Sequence, residues 1–216
     1  MQYEVTVPES LDDITLEQYQ KFLLIEEPTT DDLLTIFLNE SLEVVESIKA
    51  SEIDKLTIHI NSLFEEKPKH RLKFNLNGVP YGFIPDIDNI SYGENKDVTT
   101  NINDWQKMHK AMAVLYRPIT LNKGGKYLIE DYKGTRLTEN KMKHMPLSVV
   151  MGSLFFFLNL TDVLLKSIPN YLQNQMQHMN KKSLAENGEA IQKYIHLLEA
   201  TLKDLNTLQR YPYINV

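Results

Sequence analysis

The sequence predicts an α+β domain, mainly helical, with one or two short β-hairpins, a central apolar helix and a C-terminal amphipathic helix. Three observations carry that expectation. The first 64 residues read as short, capped, amphipathic segments; Asn77-Gly78 divides two alternating apolar runs; and a nearly unbroken apolar stretch begins at Leu147. One domain is expected over residues 1–173, acidic and helical over 1–66, with hairpin and core helices over 67–173. A polar connection and the C-terminal helix then occupy 174–216.

Residues 3–7 alternate in polarity and read as a short strand ended by Pro8. Thr15-Leu-Glu-Gln18 fits a capping box, in which the Thr and Gln side chains each bind the other's backbone amide. Leu16, Tyr19, Phe22 and Leu23 follow as an apolar stripe, and Pro28 closes the segment. Thr30-Asp-Asp opens a second helix with Leu33, Leu34, Phe37 and Leu38 at helical spacing. Its two aspartates sit in the first turn, where the helix dipole favours negative charge. Residues 42–48 form a short periodic piece. Ser51 is the expected cap of a longer helix with Ile53, Leu56, Ile60, Leu63 and Phe64 on one face.

A hairpin follows. Leu72, Phe74 and Leu76 alternate before Asn77-Gly78, and Val79, Tyr81 and Phe83 alternate after it. A two-residue Asn-Gly loop is the strongest local hairpin signal, because both positions take φ > 0. That loop pairs Leu76 with Val79, Phe74 with Tyr81 and Leu72 with Phe83, so all six share a face. Pro80 lies on the other face and has no amide to donate, which predicts an edge strand. Residues 85–100 are polar and read as irregular, with Gly93 as a turn.

The helix after Asn101 carries Trp105, Met108, Met112 and Leu115 at intervals of 3, 4 and 3, and Pro118 limits it. Residues 119–121 and 127–129 form a second hairpin around Asn122-Lys-Gly-Gly125, and a basic helix is expected over 138–144. The helix from Leu147 carries Phe155, Phe156, Phe157, Leu160, Val163, Leu164 and Ile168. It is apolar nearly all round and therefore belongs in the core, with Pro169 ending or kinking it. Trp105, Met108, Met112, Leu115, Phe155, Phe156 and Leu160 are the expected core of this half.

Residues 174–182 are polar, and the last helix spans about 183–209. Leu184, Ile191, Ile195, Leu198, Leu202 and Leu205, with Gly188 filling one position, repeat at strict intervals of 4 and 3. That is a coiled-coil type of seam. It serves either to fold the helix back on its own domain or to bind another chain, a second copy included. Ile191, Ile195, Leu198, Leu202 and Leu205 are the candidate partner-binding residues.

Composition restricts the chemistry. At 216 residues, folding buries roughly 70–75% of the unfolded surface, so a core forms without staples. No cysteine is present, which excludes disulfides, a thiol nucleophile and thiolate-held metals. The first ten residues are polar and acidic, unlike a secretory signal. The longest stretch without Asp, Glu, Lys or Arg, between Lys143 and Asp162, contains Pro146, Gly152 and Asn159; it reads as a core helix, not a membrane span. The six histidines are dispersed, without metal-ligand spacing. His109 reads as a helix-face residue and Arg117 as a structural hydrogen-bond donor. Gly124-Gly125 lacks the Lys-Ser/Thr of a phosphate loop. Asp86 and Asp88 lack the Gly and distal Glu of a calcium loop and read as an Asx-turn. No catalytic residue, cofactor or metal site is assigned.

Charge is distributed unevenly. Residues 1–66 carry 16 Asp and Glu against three Lys, a net −13, while residues 67–216 carry a net +7. Either the two parts attract each other within one fold, or an acidic face is offered to a basic partner. The lysines of the basic part are scattered singly, which disfavours a nucleic-acid-binding regulator.

Five stretches, in order, resemble a family of small proteins encoded in the structural-gene region of tailed bacteriophages. They are TLEQYQKFL, VPYGFIPDIDNISYGE, WQKMHKAMAVLYRPI, KYLIEDYKG and MKHMPLSVVMGSLFFFL, covering residues 15–165. The sequence departs from the family pattern at Asn95-Lys-Asp-Val98, where a more acidic loop is usual. The resemblance implies a non-enzymatic tail assembly chaperone, which binds an elongated, tape-measure-like tail protein in the host cytoplasm during morphogenesis. Its alternative is a permanent head or tail component of the virion. Neither role requires a small-molecule substrate or a membrane.

Overall fold

The computed structural model describes residues 4–160. They fall in two compact units divided between Ser153 and Leu154, and only 154–160 of the second are described. The expected boundary at 173–174 and the whole C-terminal seam lie outside the described residues. The architecture is α+β, with helices around a four-stranded antiparallel sheet.

The first two helices begin where their caps stand. In α1, Leu16–Phe22, the Thr15 hydroxyl accepts the Gln18 amide and the Gln18 side chain accepts the Thr15 amide. Two further open amides, those of Leu16 and Glu17, donate to the carbonyls of Met145 and Lys143. The start of α1 is thereby tied to a segment 130 residues away in sequence. In α2, Thr30–Phe37, the same box is made by Thr29 and Asp32. The short α3, Leu42–Glu46, and the longer α4, Ala50–Leu63, follow. Ser51 does not cap α4. The chain turns at Lys49, whose carbonyl accepts the Glu52 and Ile53 amides, so Ser51 lies inside the first turn. Phe37 joins the elements, with its ring 5.1 Å from both Phe22 and Phe64.

The expected strand over 3–7 is not formed: residues 4–7 carry no ladder. Alternating polarity needs a neighbouring strand to become a strand. This segment instead lies beside α4, where His59 Nε2 bonds the Pro8 carbonyl at 2.8 Å.

The hairpin has the register read from the sequence. β1, Lys73–Leu76, pairs with β2, Val79–Phe83, with Phe74 opposite Tyr81 and Leu76 opposite Val79. Asn77 and Gly78 take φ of 51° and 80°. Pro80, however, does not mark an edge, because β2 is an interior strand of the order β1-β2-β3-β4. The β2–β3 ladder starts at Tyr81 opposite Pro118 and runs to Phe83 opposite Tyr116. Pro80 lies one step outside it, so no bond is lost.

Residues 85–100 are not irregular throughout. They contain most of α5, Tyr92–Asn101, opened by a capping box of Ser91 and Glu94, with Gly93 inside the first turn. A 3₁₀ turn, Trp105–Lys107, leads into α6, Met108–Leu115. The helix stops before Pro118, because Tyr116 is already extended as the first residue of β3, Tyr116–Lys123. β4, Lys126–Ile129, returns after a two-residue Gly-Gly turn, tighter than the expected four-residue loop. A bulge between Ile119 and Leu121 shifts the register. α7 covers Glu139–Met142, and α8 covers 147–160.

Met108, Met112 and Leu115 are fully buried. Trp105 is half-buried, edge-on to Tyr19 at 4.8 Å. Along α8 every residue from 147 to 154 is buried, after which Phe155 and Phe156 are half-buried. Leu160 is 38% exposed and is not core, since the helical repeat carries it and Asn159 to an outward face. No helix among the described residues is long and apolar enough to cross a membrane.

Candidate functional site

Most polar side chains drawn into the fold are held by structural partners. Arg117 Nη2 donates to Glu94 Oε1 at 2.6 Å, and both side chains are about nine-tenths buried. The other Glu94 oxygen accepts the Ser91 amide at 2.7 Å. Burial pushes the Glu94 carboxyl up, but the Ser91 bonds and the Arg117 guanidinium outweigh it and hold the group below its usual range. Tyr132 donates to Asp97, and the Arg117 guanidinium lies 5.8 Å from the Tyr132 ring centre. This cluster fastens α5 to β3, the structural use expected for Arg117.

His109 is buried on α6, and the Gln20 side-chain amide lies 3.2 Å from its Nδ1. An amide nitrogen donates, so Nδ1 accepts and the ring is neutral. Burial, then Lys143, keeps its pKa below the usual histidine value. Gln20 also donates to the Trp105 carbonyl, while Gln106 donates back to the Gln20 carbonyl. Asp12 bonds Arg71 at 2.7 Å and accepts from Ser148. Asp86 and Asp88 stand exposed in the loop after β2. Among the described residues no group of three His, Cys, Asp or Glu is placed to hold a metal ion.

Among the described residues an acidic groove of about 520 Å³ is open. Phe37 and Leu38 at the end of α2 lie at its floor, and Asp13, Glu17, Glu40, Lys21 and His144 line it. Asn39 builds one wall. Its φ of 55° reverses the chain after α2, and the Glu40 amide closes on the Thr35 carbonyl, a helix-ending Schellman turn. Glu17 lies 3.8 Å from the Lys21 ammonium and 3.9 Å from His144 Nδ1. Sequence reasoning did not assemble this groove, because its walls come from three separate segments.

The acidic excess of residues 1–66 is largely unpaired. Among the described residues, three of its sixteen carboxylates, Asp12, Glu17 and Glu52, lie within 4 Å of a cationic group. Among the described residues of the later part, Arg71 and His144 reach them. Direct pairing within residues 4–160 therefore offsets little of that excess. The candidate seam of Ile191, Ile195, Leu198, Leu202 and Leu205 lies outside the described residues. Compared with protein-family models, curated proteins and solved structures, the chain matches none.

Proposed function

We propose that this protein is a non-enzymatic assembly factor of a tailed bacteriophage, a tail assembly chaperone that holds a basic, amphipathic segment of an elongated tail protein. The observation that carries the reading is the acidic excess of residues 1–66, little paired among the described residues, beside a groove that Phe37 and Leu38 line. Such a surface attracts a basic chain through long-range electrostatics, and the floor at Phe37 and Leu38 accepts its apolar side chains. Exposed charge pairs are weak and screened by salt, which suits a contact that must be released. The resemblance over residues 15–165 supplies the biological setting, and the C-terminal seam a second helical contact.

Quantitative mass spectrometry of infected-cell lysate and purified particles tests this directly. A chaperone is abundant in lysate and absent from particles. A fixed copy number in particles makes the chain a permanent virion component instead.

A further inference from the structure

We infer that β4 is the seam of a symmetric dimer, in which the edge strand of one copy pairs antiparallel with that of a second copy across a two-fold axis at Leu128. The inference stands independently of the assembly role proposed above.

β4 is the last strand in the sheet order, bonded to β3 on one side and to no strand among the described residues on the other. Alternation decides which of its groups face outward. The Glu130 amide bonds the Pro118 carbonyl of β3 at 2.9 Å, so Leu128 and Lys126, two and four residues earlier, also face β3. Tyr127 and Ile129 turn their amides and carbonyls to the open edge.

Only one register suits two copies of this edge. With the axis at Leu128, Tyr127 lies opposite Ile129 of the second copy, twice, and these are the outward-facing residues. Four main-chain hydrogen bonds result. The same register sets Lys126 opposite Glu130 of the second copy, again twice, in the closer class of cross-strand pair. Both side chains are exposed, and neither has an ion-pair partner among the described residues. Moving the axis by one residue sets Lys126 or Glu130 against Leu128 and loses both charge pairs.

Side chains agree with the backbone. Leu128 is 59% exposed, and its β3 partner Leu121 is 54% exposed. Across the axis the two Leu121–Leu128 pairs merge into one row of four leucines. The opposite edge of the sheet is built differently. β1 carries Lys73 and no carboxylate, so two copies of that edge gain no charge pair from its own residues.

Analytical ultracentrifugation of the full chain over a concentration series tests the inference. The mass should rise from one chain to two. Lys126→Glu alone and Glu130→Lys alone each set like charges opposite at both ends of the seam and should weaken association about tenfold or more. The double variant K126E/E130K restores opposite charges and should restore the dimer. Hydrogen exchange on the unaltered protein gives a second readout: the Tyr127 and Ile129 amides should gain protection as concentration rises. A chain that stays monomeric, a dimer indifferent to both single changes, or amides at 127 and 129 that exchange alike at all concentrations would each overturn it.

Discussion

Replacing Gly152 by Ala should destabilise the first compact unit, although helix propensity alone argues the reverse. Gly152 lies inside α8, and exchanging Gly for Ala in an exposed helix interior gains about 1 kcal/mol. Here a Cβ would stand 2.6 Å from the Lys69 carbonyl oxygen, 2.9 Å from its carbon and 3.2 Å from the His70 nitrogen. Ordinary contact begins at 3.4 Å, so backbone must retreat by about 0.8 Å. It is not free to do so. The Arg71 carbonyl accepts the Tyr116 hydroxyl at 2.7 Å, and the Leu72 carbonyl accepts the Phe83 amide at 2.9 Å. Overpacking of this kind costs about 1–3 kcal/mol and reaches the upper part of that range where backbone must move. Set against the propensity gain, we expect a net loss of about 2 kcal/mol. Urea unfolding followed by the sole tryptophan, Trp105, reports on this unit. Gly93→Ala is the matched control, because its Cβ would meet only the Tyr132 ring at 3.7 Å. It should be neutral or stabilising by up to about 1 kcal/mol. A Gly152→Ala protein as stable as the parent, or more so, would refute the steric argument.

The other predictions follow from the polar clusters. Glu94→Gln leaves the Arg117 charge buried without its carboxylate and should cost about 3 kcal/mol, with a double-mutant cycle against Arg117→Met showing strong coupling in urea melts. Ser91→Ala removes the cap of a helix with little apolar surface and should cost about 1 kcal/mol, read as faster amide exchange across residues 92–101. Stability should fall with acid in two stages, followed by thermal melts across pH. His109 has a folded pKa below the 6.5 of the free side chain, so its contribution is complete above about pH 6.5 and fades as pH drops through the folded value. Glu94 and Asp12 also have lowered pKa values, from 4.5 and 3.8, so their contributions are complete above those values and disappear at lower pH. His109→Gln should reduce the first stage, leaving the share of His70, whose pKa burial also lowers, and leave the second.

Local signals in the sequence succeeded where one segment held all the information. Thr15 with Gln18 and Asn77 with Gly78 define their geometry within four residues, and the structure has the box and the register they imply. Failures came where the answer depended on a distant partner. Residues 4–7 alternate but have no neighbouring strand, and Pro80 stands in an interior strand because the β2–β3 ladder begins at Tyr81. α5 was missed for another reason. It has almost no apolar periodicity, and what anchors it is the Glu94–Arg117 pair, joining positions 23 residues apart. Its Ser91-Tyr-Gly-Glu94 pattern was nonetheless a readable capping box, obscured by the glycine within it. The groove had no comparable sequence signature, since residues 6–21, 37–40 and His144 meet only in the folded chain.

Charge placement separates the groups that build this fold from those that remain available. Several polar groups that enter the interior are matched closely: Arg117 with Glu94, His109 with Gln20, and Tyr116 with the Arg71 carbonyl and Ser153. An unmatched buried group carries a full desolvation penalty, so stability favours that matching. The unpaired carboxylates of residues 1–66 lie outside this constraint. Their mutual repulsion works against the compact state, and few cations among the described residues offset it. A fold governed by stability alone gains from mixing signs over that surface. Keeping the excess on one part, beside an open groove, is the arrangement on which the proposed basic partner rests.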